Sequence, residues 1–270
     1  MTAADDDFRQ RARRTWADGD WDAVSRLVAP VGPVVLDAIK VEPGMDLLDV
    51  GTGSGGTVAI PAALRGAKVV GCDITPELFV HAWRRAAEAN VEVEWVEGDA
   101  QDLPFDDASF DRVTSTFGAM LAPDHARVAQ QLMRVCRPGG RVGMTTWADD
   151  GFAGGLFKLT GSYMPTPPAG VQTPQQWGSP DHVREMFATA GVTPKVARRQ
   201  VEFAFDSEPD AVQQYAEKFG PFIALRGAIE PQGRWEPFIA EFAELVHRFN
   251  SSGDNTAKIG SDYLLITAQR

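Results

Sequence analysis

The chain has 270 residues, 44% of them hydrophobic and 9% aromatic, enough to bury a sizeable core as one large domain or as one domain with an insertion. Its 26 basic against 37 acidic residues leave a net charge of −11, which repels a phosphate backbone and favours a small molecule over nucleic acid as partner. No apolar run is long enough to span a bilayer, and the start Met1-Thr2-Ala3-Ala4-Asp5-Asp6-Asp7 is acidic where a secretory signal is basic, so a cytoplasmic location is expected.

Residues 8 to 29 place Phe8, Arg11, Arg14 and Thr15 in a helix-like pattern, break at Trp16-Ala17-Asp18-Gly19-Asp20-Trp21, and resume with Val24, Leu27 and Val28. This N-terminal helical segment, residues 1–30, either lies across a ligand as a lid with Trp16 and Trp21 facing the site, or uses those rings only to pin itself to the core. Next comes Leu47-Leu48-Asp49-Val50-Gly51-Thr52-Gly53-Ser54-Gly55-Gly56, an apolar run ending in an acid and followed by alternating glycines, with a helix-capable stretch from Thr57 to Arg65. That is strand, tight loop, helix. Glycines here permit positive φ and bring the backbone close to a ligand that any Cβ would exclude. Pro61 kinks the helix unless it begins late enough for the proline to fall in its first turn.

Lys68 to Asp73 reads as a short buried strand, and Thr75-Pro76-Glu77 opens a helix. Val91-Glu92-Val93-Glu94-Trp95 alternates as a strand with one wet face does, at the edge of a sheet. Gly98-Asp99-Ala100 closes it; a loop with Leu103-Pro104-Phe105, a strand from Phe110 to Thr116, and a helix starting at Pro123-Asp124 follow. Arg137-Pro138-Gly139-Gly140 stops that helix, and Arg141 to Trp147 is a strand. Alternation of strand and helix demands a parallel sheet covered on both faces.

From Asp149 to Gly178 the many glycines and prolines read as a long, loop-rich connection. Ser179-Pro180-Asp181 caps a helix, a strand runs from Val196 to Phe205, and the last strand is Tyr263 to Ala268. Between these two strands, residues 207–258 read as a helical cap insertion in a single domain spanning 1–270. Its Phe219, Phe222, Trp235, Phe238 and Phe242 are too many aromatics to bury within a short insertion; they line an acceptor pocket, or form a satellite core or a homodimer interface. Cys72 and Cys136 lack metal or disulfide spacing and are expected as small buried hydrophobes.

Gly51, Gly53 and Gly56 fit the dinucleotide spacing G-x-G-x-x-G, with Asp73 roughly 20 residues further on. Asp49, two places before the first glycine, instead suits a ligand carrying a cationic amino group. The sequence resembles the class I S-adenosylmethionine (SAM) methyltransferases in four stretches taken in order: Asp49 to Gly55; Val70 to Ile74; Gly98-Asp99-Ala100 with Leu103-Pro104-Phe105 and Ser109-Phe110-Asp111; and Leu132 to Gly140. The Leu-Pro-Phe and Ser-Phe-Asp elements are most similar to ubiquinone/menaquinone C-methyltransferases. Phe117-Gly118-Ala119-Met120, Ala122-Pro123-Asp124-His125 and Trp177-Gly178 resemble an actinobacterial small-molecule branch.

The resemblance implies an α/β, Rossmann-like fold with a mostly parallel seven-stranded sheet, SAM as cofactor and S-adenosylhomocysteine as product. It also implies roles. Gly51, Thr52 and Gly53 would offer backbone N–H groups to the methionine moiety, with Asp49 ordering the loop and offsetting the ammonium charge. Asp73 would accept the ribose hydroxyls, Ile74 pack on adenine, and Asp99 with the Ala100 N–H take the base edge. Ser115 and Thr116 would meet the amino acid part. In-line displacement at a sulfonium methyl needs alignment and exclusion of water rather than an obligatory residue; if a base assists, His125, beside the N-cap of its helix, is the candidate, against its reading as a solvated helix-start histidine. His81, His182 and His247 read as ordinary.

The expected function is methyl transfer to a small, apolar or aromatic acceptor on O, N or C, held under a cap built from residues 1–30, 148–178 and 207–258, with no metal, since no acid or histidine cluster has ligand spacing. The alternatives are an NAD(P)-dependent oxidoreductase using the same loop, for which none of the three tyrosines has lysine four residues later, and a SAM-binding protein without transfer.

Overall fold

A computed structural model of the chain describes residues 13, 16–17, 19–166 and 171–270. The helix-like pattern over Phe8, Arg11, Arg14 and Thr15, the prolines Pro167 and Pro168, and the side chain of Trp21 lie outside the described residues.

Two helices precede the sheet: α1, Trp21–Val28, capped by the Asp20 carboxylate accepting from Ala23 N, and α2, Val31–Ala38. Strand and helix then alternate as β1 (Asp46–Val50), α3 (Ala59–Leu64), β2 (Lys68–Asp73), α4 (Phe79–Glu88), β3 (Val93–Glu97), β4 (Phe110–Thr116), α5 (His125–Val135) and β5 (Cys136–Trp147). The chain continues through α6 (Phe152–Tyr163), α7 (Pro180–Ala188), β6 (Lys195–Phe205), α8 (Glu208–Lys218), α9 (Gly220–Ile229), α10 (Trp235–Phe249) and β7 (Ala257–Gln269).

The seven strands lie in the order β3-β2-β1-β4-β5-β7-β6. Neighbours from β3 through β5 pair in parallel, while β7 is antiparallel to both β5 and β6. The apolar run that reads as β1 sits mid-sheet, and its last four residues are buried. By contrast β3, at the edge, has no fully buried residue: Val93, Trp95 and Val96 are half-buried, and Glu94 and Glu97 are exposed. It begins two residues later than the alternation suggests, because pairing with β2 sets Val69 against Val93 and Asp73 against Glu97. Helix α3 starts at Ala59, so Pro61 falls in the first turn, where its missing N–H costs nothing and no kink is required.

The connection after β5 departs from its sequence reading: it contains the twelve-residue helix α6. Its glycines mark close packing rather than a loop. A Cβ on Gly154 would run into the backbone carbonyls of Asp149 and Ala148, and one on Gly155 would come within 2.8 Å of Leu245 on α10. Between β6 and β7, helices α8 to α10 pack on α6 and on one another. Phe222 lies fully buried with ring centroids 4.9 Å from Phe238 and 4.8 Å from Phe242, and Trp235 stacks on Phe238. Each such ring removes apolar area worth about 1.5–3 kcal/mol. Four of the five aromatics noted in this segment therefore form a satellite core; Phe219 alone of them borders the cavity described below. Cys72 and Cys136 are buried thiols.

Gly154→Ala is expected to destabilise by about 1–3 kcal/mol through overpacking, lowering Tm by about 2–4 °C per kcal/mol. Gly161→Ala in the same helix, where a Cβ meets nothing within 4 Å, should leave Tm unchanged or raise it. Equal effects in thermal melts would mean that the packing at Gly154 is not limiting.

Candidate functional site

The carboxyl ends of β1, β2 and β4 converge on one cavity, and the loop after β1 is held there by acids. Asp49 is buried; its Oδ2 accepts from Thr52 Oγ1 at 2.8 Å and its Oδ1 from Thr114 Oγ1 at 2.9 Å. Gly51 and Gly53 take φ of +68° and +56°. A Cβ on Gly51 would strike Gly118 Cα at 2.7 Å, so the loops after β1 and β4 touch backbone to backbone. A Cβ on Gly53 would meet nothing within 4 Å, leaving an open face toward the cavity.

The loop's N–H groups are engaged inside the protein, which corrects the expectation that Gly51, Thr52 and Gly53 offer them to a ligand. Gly51 N and Thr52 N both donate to Cys72 O, and Gly53 N donates to Asp73 Oδ2 at 2.8 Å. Among the described residues no hydrogen bond reaches the carbonyls of Gly51 or Gly53. The loop thus offers acceptors, which suit a cation. Asp73 Oδ1 accepts from Thr75 N at 2.9 Å, and each oxygen retains a lone pair for a hydroxyl.

Burial pushes the Asp49 carboxyl up to about 7, with the Thr52 and Thr114 hydroxyls pulling part of the way back. Burial also raises Asp73, against the Gly53 and Thr75 N–H groups. Neither carboxylate forms an ion pair with Lys or Arg among the described residues. Two buried acids without a counterion make this end of the cavity a place for positive charge.

The cavity measures ≈ 320 Å³ and is bordered by Gly51, Thr52, Gly53, Asp73, Ile74, Asp99, Ala100 and Thr116 among the residues singled out from sequence. Asp99 accepts from Gln101 N at 2.8 Å. Thr116 Oγ1 is buried without a hydrogen-bond partner, an orphaned polar atom at the cavity wall. Asp49 lies beneath the loop and acts through it. Ser115 does not border the cavity: fully buried, it accepts from Ala119 N at 2.9 Å and fixes the turn after β4.

His125 is a second correction. It is 0% exposed and does not border the cavity. Its Nδ1 lies 2.8 Å from His182 Nε2, and its ring centroid 4.8 Å from that of Trp177. Burial, then the neighbouring His182, push its pKa down to about 3. It is neither a solvated helix-start residue nor a base within reach of the cavity. It joins α5 to α7, and His182, read as ordinary, is its partner.

The far half of the cavity is apolar. Phe117, at φ +60°, stacks on Trp147 with centroids 3.7 Å apart and 3° between planes. Phe152, Leu156, Phe203, Phe205, Tyr215 and Phe219 close around it, with Trp16 and Leu27 crossing from the N-terminal side. Trp16, Leu27, Phe152, Leu156, Tyr215 and Phe219 fall in the segments expected to cap the acceptor, whereas Phe117, Trp147, Phe203 and Phe205 carried no site role in the sequence. The signals were present in part: Val201, Phe203 and Phe205 alternate on β6, and Tyr215, Lys218 and Phe219 share one face of α8 by i, i+3, i+4 spacing.

A family model described as a methyltransferase domain matches residues 48–144. An uncharacterised protein of Mycobacterium tuberculosis is 38% identical over 261 residues, covering 96% of this chain and 93% of its own length. The nocamycin O-methyltransferase of Saccharothrix syringae is 41% identical over 132 residues, 47% of each chain. In fold, a putative methyltransferase from Bacillus halodurans superposes with a TM-score of 0.58 at 21% identity, covering 87% of this chain and 96% of that one.

The chain belongs to the class I SAM-dependent methyltransferases. SAM is the cofactor of this methyltransferase. The open Gly53 face, the unbonded loop carbonyls, the uncompensated acids and the orphaned Thr116 hydroxyl fit a ligand that carries an ammonium, a sulfonium and ribose hydroxyls. Among the described residues no helix is long and apolar enough to cross a membrane, and no group of three His, Cys, Asp or Glu is placed to hold a metal.

The pH dependence follows from Asp49. Its carboxyl moves from 3.8 when solvated to about 7 when folded, so the ligand-free protein loses stability as pH rises across that window. A cationic ligand favours the ionised form. Affinity for S-adenosylhomocysteine should therefore rise with pH toward about 7 and level off above it, falling by up to about tenfold per unit below. Asp49→Asn should flatten that profile in calorimetric titrations. A flat wild-type profile would uncouple Asp49 from the ligand.

Proposed function

We propose that the methyltransferase transfers the methyl group of SAM to a small apolar or aromatic acceptor seated between the Phe117–Trp147 pair and helices α6 and α8. The observation that carries this reading is the division of one continuous cavity: buried acids and open loop carbonyls at one end, aromatic rings at the other. A cofactor and an apolar acceptor can then meet without leaving the cavity. The relative from Saccharothrix syringae acts on nocamycin by its printed name, as an O-methyltransferase.

When bound, SAM supplies an electrophilic methyl on a sulfonium, released to the acceptor's lone pair as the C–S bond breaks and sulfur keeps its electrons. The chain's residues do the rest by placement. Asp73 takes the ribose hydroxyls and Asp99 with Ala100 the adenine edge, while Ile74 packs on the ring. Asp49 and the Gly51 and Gly53 carbonyls draw the ammonium, and Thr116 Oγ1 gains a partner beside it. The rings of Phe117, Trp147, Phe203 and Phe205 exclude water, which strengthens these charges and aligns the acceptor. The acceptor's proton, where it has one, leaves to solvent, since His125 cannot reach it.

Calorimetry should show S-adenosylhomocysteine binding and none for NAD or NADP. Asp73→Ala should weaken that binding by roughly ten- to a hundredfold, because charge-assisted bonds are lost and the ribose is left unpaired. Unchanged affinity in a folded variant would make Asp73 structural. Methyl transfer should survive a chelator; loss restored by magnesium would overturn the metal-free reading.

A further inference from the structure

Charged groups are sparse at the cavity wall. Among the described residues that border it, only Asp73, Asp99 and Lys218 carry charge. The two acids lie at the ends of β2 and β3, on the cofactor side. Lys218, half-buried in the last turn of α8, lies on the apolar side with Tyr215 and Phe219. Lys218 thus sets an ammonium beside aromatic rings in a chain of net charge −11.

Its surroundings hold it without neutralising it. Lys218 Nζ donates to Gln214 Oε1 at 3.4 Å, and Gln214 Nε2 donates to Asp210 Oδ2 at 2.9 Å, which turns the amide oxygen toward the lysine. Among the described residues Lys218 makes no ion pair. Its carbonyl accepts from Asp20 N at 2.9 Å, so the end of α8 is clasped to the segment entering α1. One turn back, Tyr215 is 9% exposed, packed against Phe152, Phe222 and Phe242, and its hydroxyl has no hydrogen-bond partner among the described residues. Burial raises its pKa, so the phenol stays protonated and can only donate to an anion.

We propose that the acceptor is a ring-bearing apolar molecule carrying an acidic group, whose anion is held by the Lys218 ammonium and the Tyr215 hydroxyl. This rests on the methyl-transfer reading and specifies its substrate class. The apolar body lies on the Phe117–Trp147 stack, and the anion anchors one end. A half-buried cation beside aromatic rings binds a matching anion more strongly than one on an open surface. Lys218 and Tyr215 are thus specificity-determining residues, and methyl transfer itself keeps the balance given above.

The test uses the full chain saturated with S-adenosylhomocysteine and two probes of equal shape, 1-naphthoate and the neutral 1-naphthamide, followed by tryptophan fluorescence and calorimetry. Naphthoate should bind about tenfold or more tightly than naphthamide. Lys218→Met should bring naphthoate down to the naphthamide level, Lys218→Arg should retain most of the preference, and Tyr215→Phe should cost about three- to tenfold for naphthoate alone. Each variant should bind S-adenosylhomocysteine as the wild type does. Equal binding of the two probes, no naphthoate binding, or a naphthoate affinity untouched by Lys218→Met would overturn this proposal while leaving the methyl-transfer reading intact. A tenfold loss of S-adenosylhomocysteine affinity in Lys218→Met would also overturn it, since the lysine would then pair with the cofactor's carboxylate. A wild-type protein that binds no S-adenosylhomocysteine would instead remove the methyl-transfer reading on which it rests.

Discussion

The Asp49 carboxylate receives the hydroxyls of Thr52 and Thr114 and so ties the glycine loop to strand β4 from beneath. Asp73 does the same from the side by accepting Gly53 N. Both bonds are made by acids whose pKa burial raises, and each consumes only part of its acid's capacity. The remaining lone pairs and negative potential suit a cationic cofactor. On the reading proposed above, loop shape and cofactor choice have one cause. An N–H cradle of the pyrophosphate kind would need the donors of Gly51, Thr52 and Gly53 to be free, and here Cys72 O and Asp73 hold them.

This explains which parts of the molecule were legible in the sequence. Up to Trp147, structure is dictated by short-range constraints: apolar runs, acids at strand ends, and glycines whose positive φ leaves a mark at fixed spacing. The sheet, its edge strand β3 and the positions of Asp49, Asp73, Asp99 and Thr116 could be read there. The N–H groups of the loop could not, because their partners come from β2, and no local pattern states that pairing. His125 fails for a similar reason. Its place after a helix N-cap is visible, but Trp177 and His182, which bury it, arrive more than fifty positions later.

In the second half the same residue types change meaning. Gly154 and Gly155 read as loop formers, yet they are helix residues chosen by the carbonyls of Ala148 and Asp149 and by Leu245 pressing against them. The aromatics of α9 and α10 read equally well as pocket or core, since periodicity tells which face is apolar and not what covers it. Packing decided the matter: Phe222, Phe238 and Phe242 cover one another, while Gln214, Tyr215, Lys218, Phe219 and Pro221, around the end of α8, border the cavity.

Phe117 joins the two halves. It follows β4 directly, and its left-handed backbone carries a cost of roughly 1–2 kcal/mol for a non-glycine residue. Its ring lies flat on Trp147 from the end of β5 and edge-on to Tyr263 of β7, contacts worth about 0.5–1.5 kcal/mol each beyond the area they bury. That balance sends the ring toward the apolar half while the next residue, Gly118, presses on Gly51 in the polar half. One dipeptide thus links the position of the glycine loop to that of the aromatic surface in the apolar half. On the methyl-transfer reading proposed above, alignment of the reacting atoms supplies much of the rate, and the backbone cost at Phe117 serves that alignment by holding the two halves of the cavity in register.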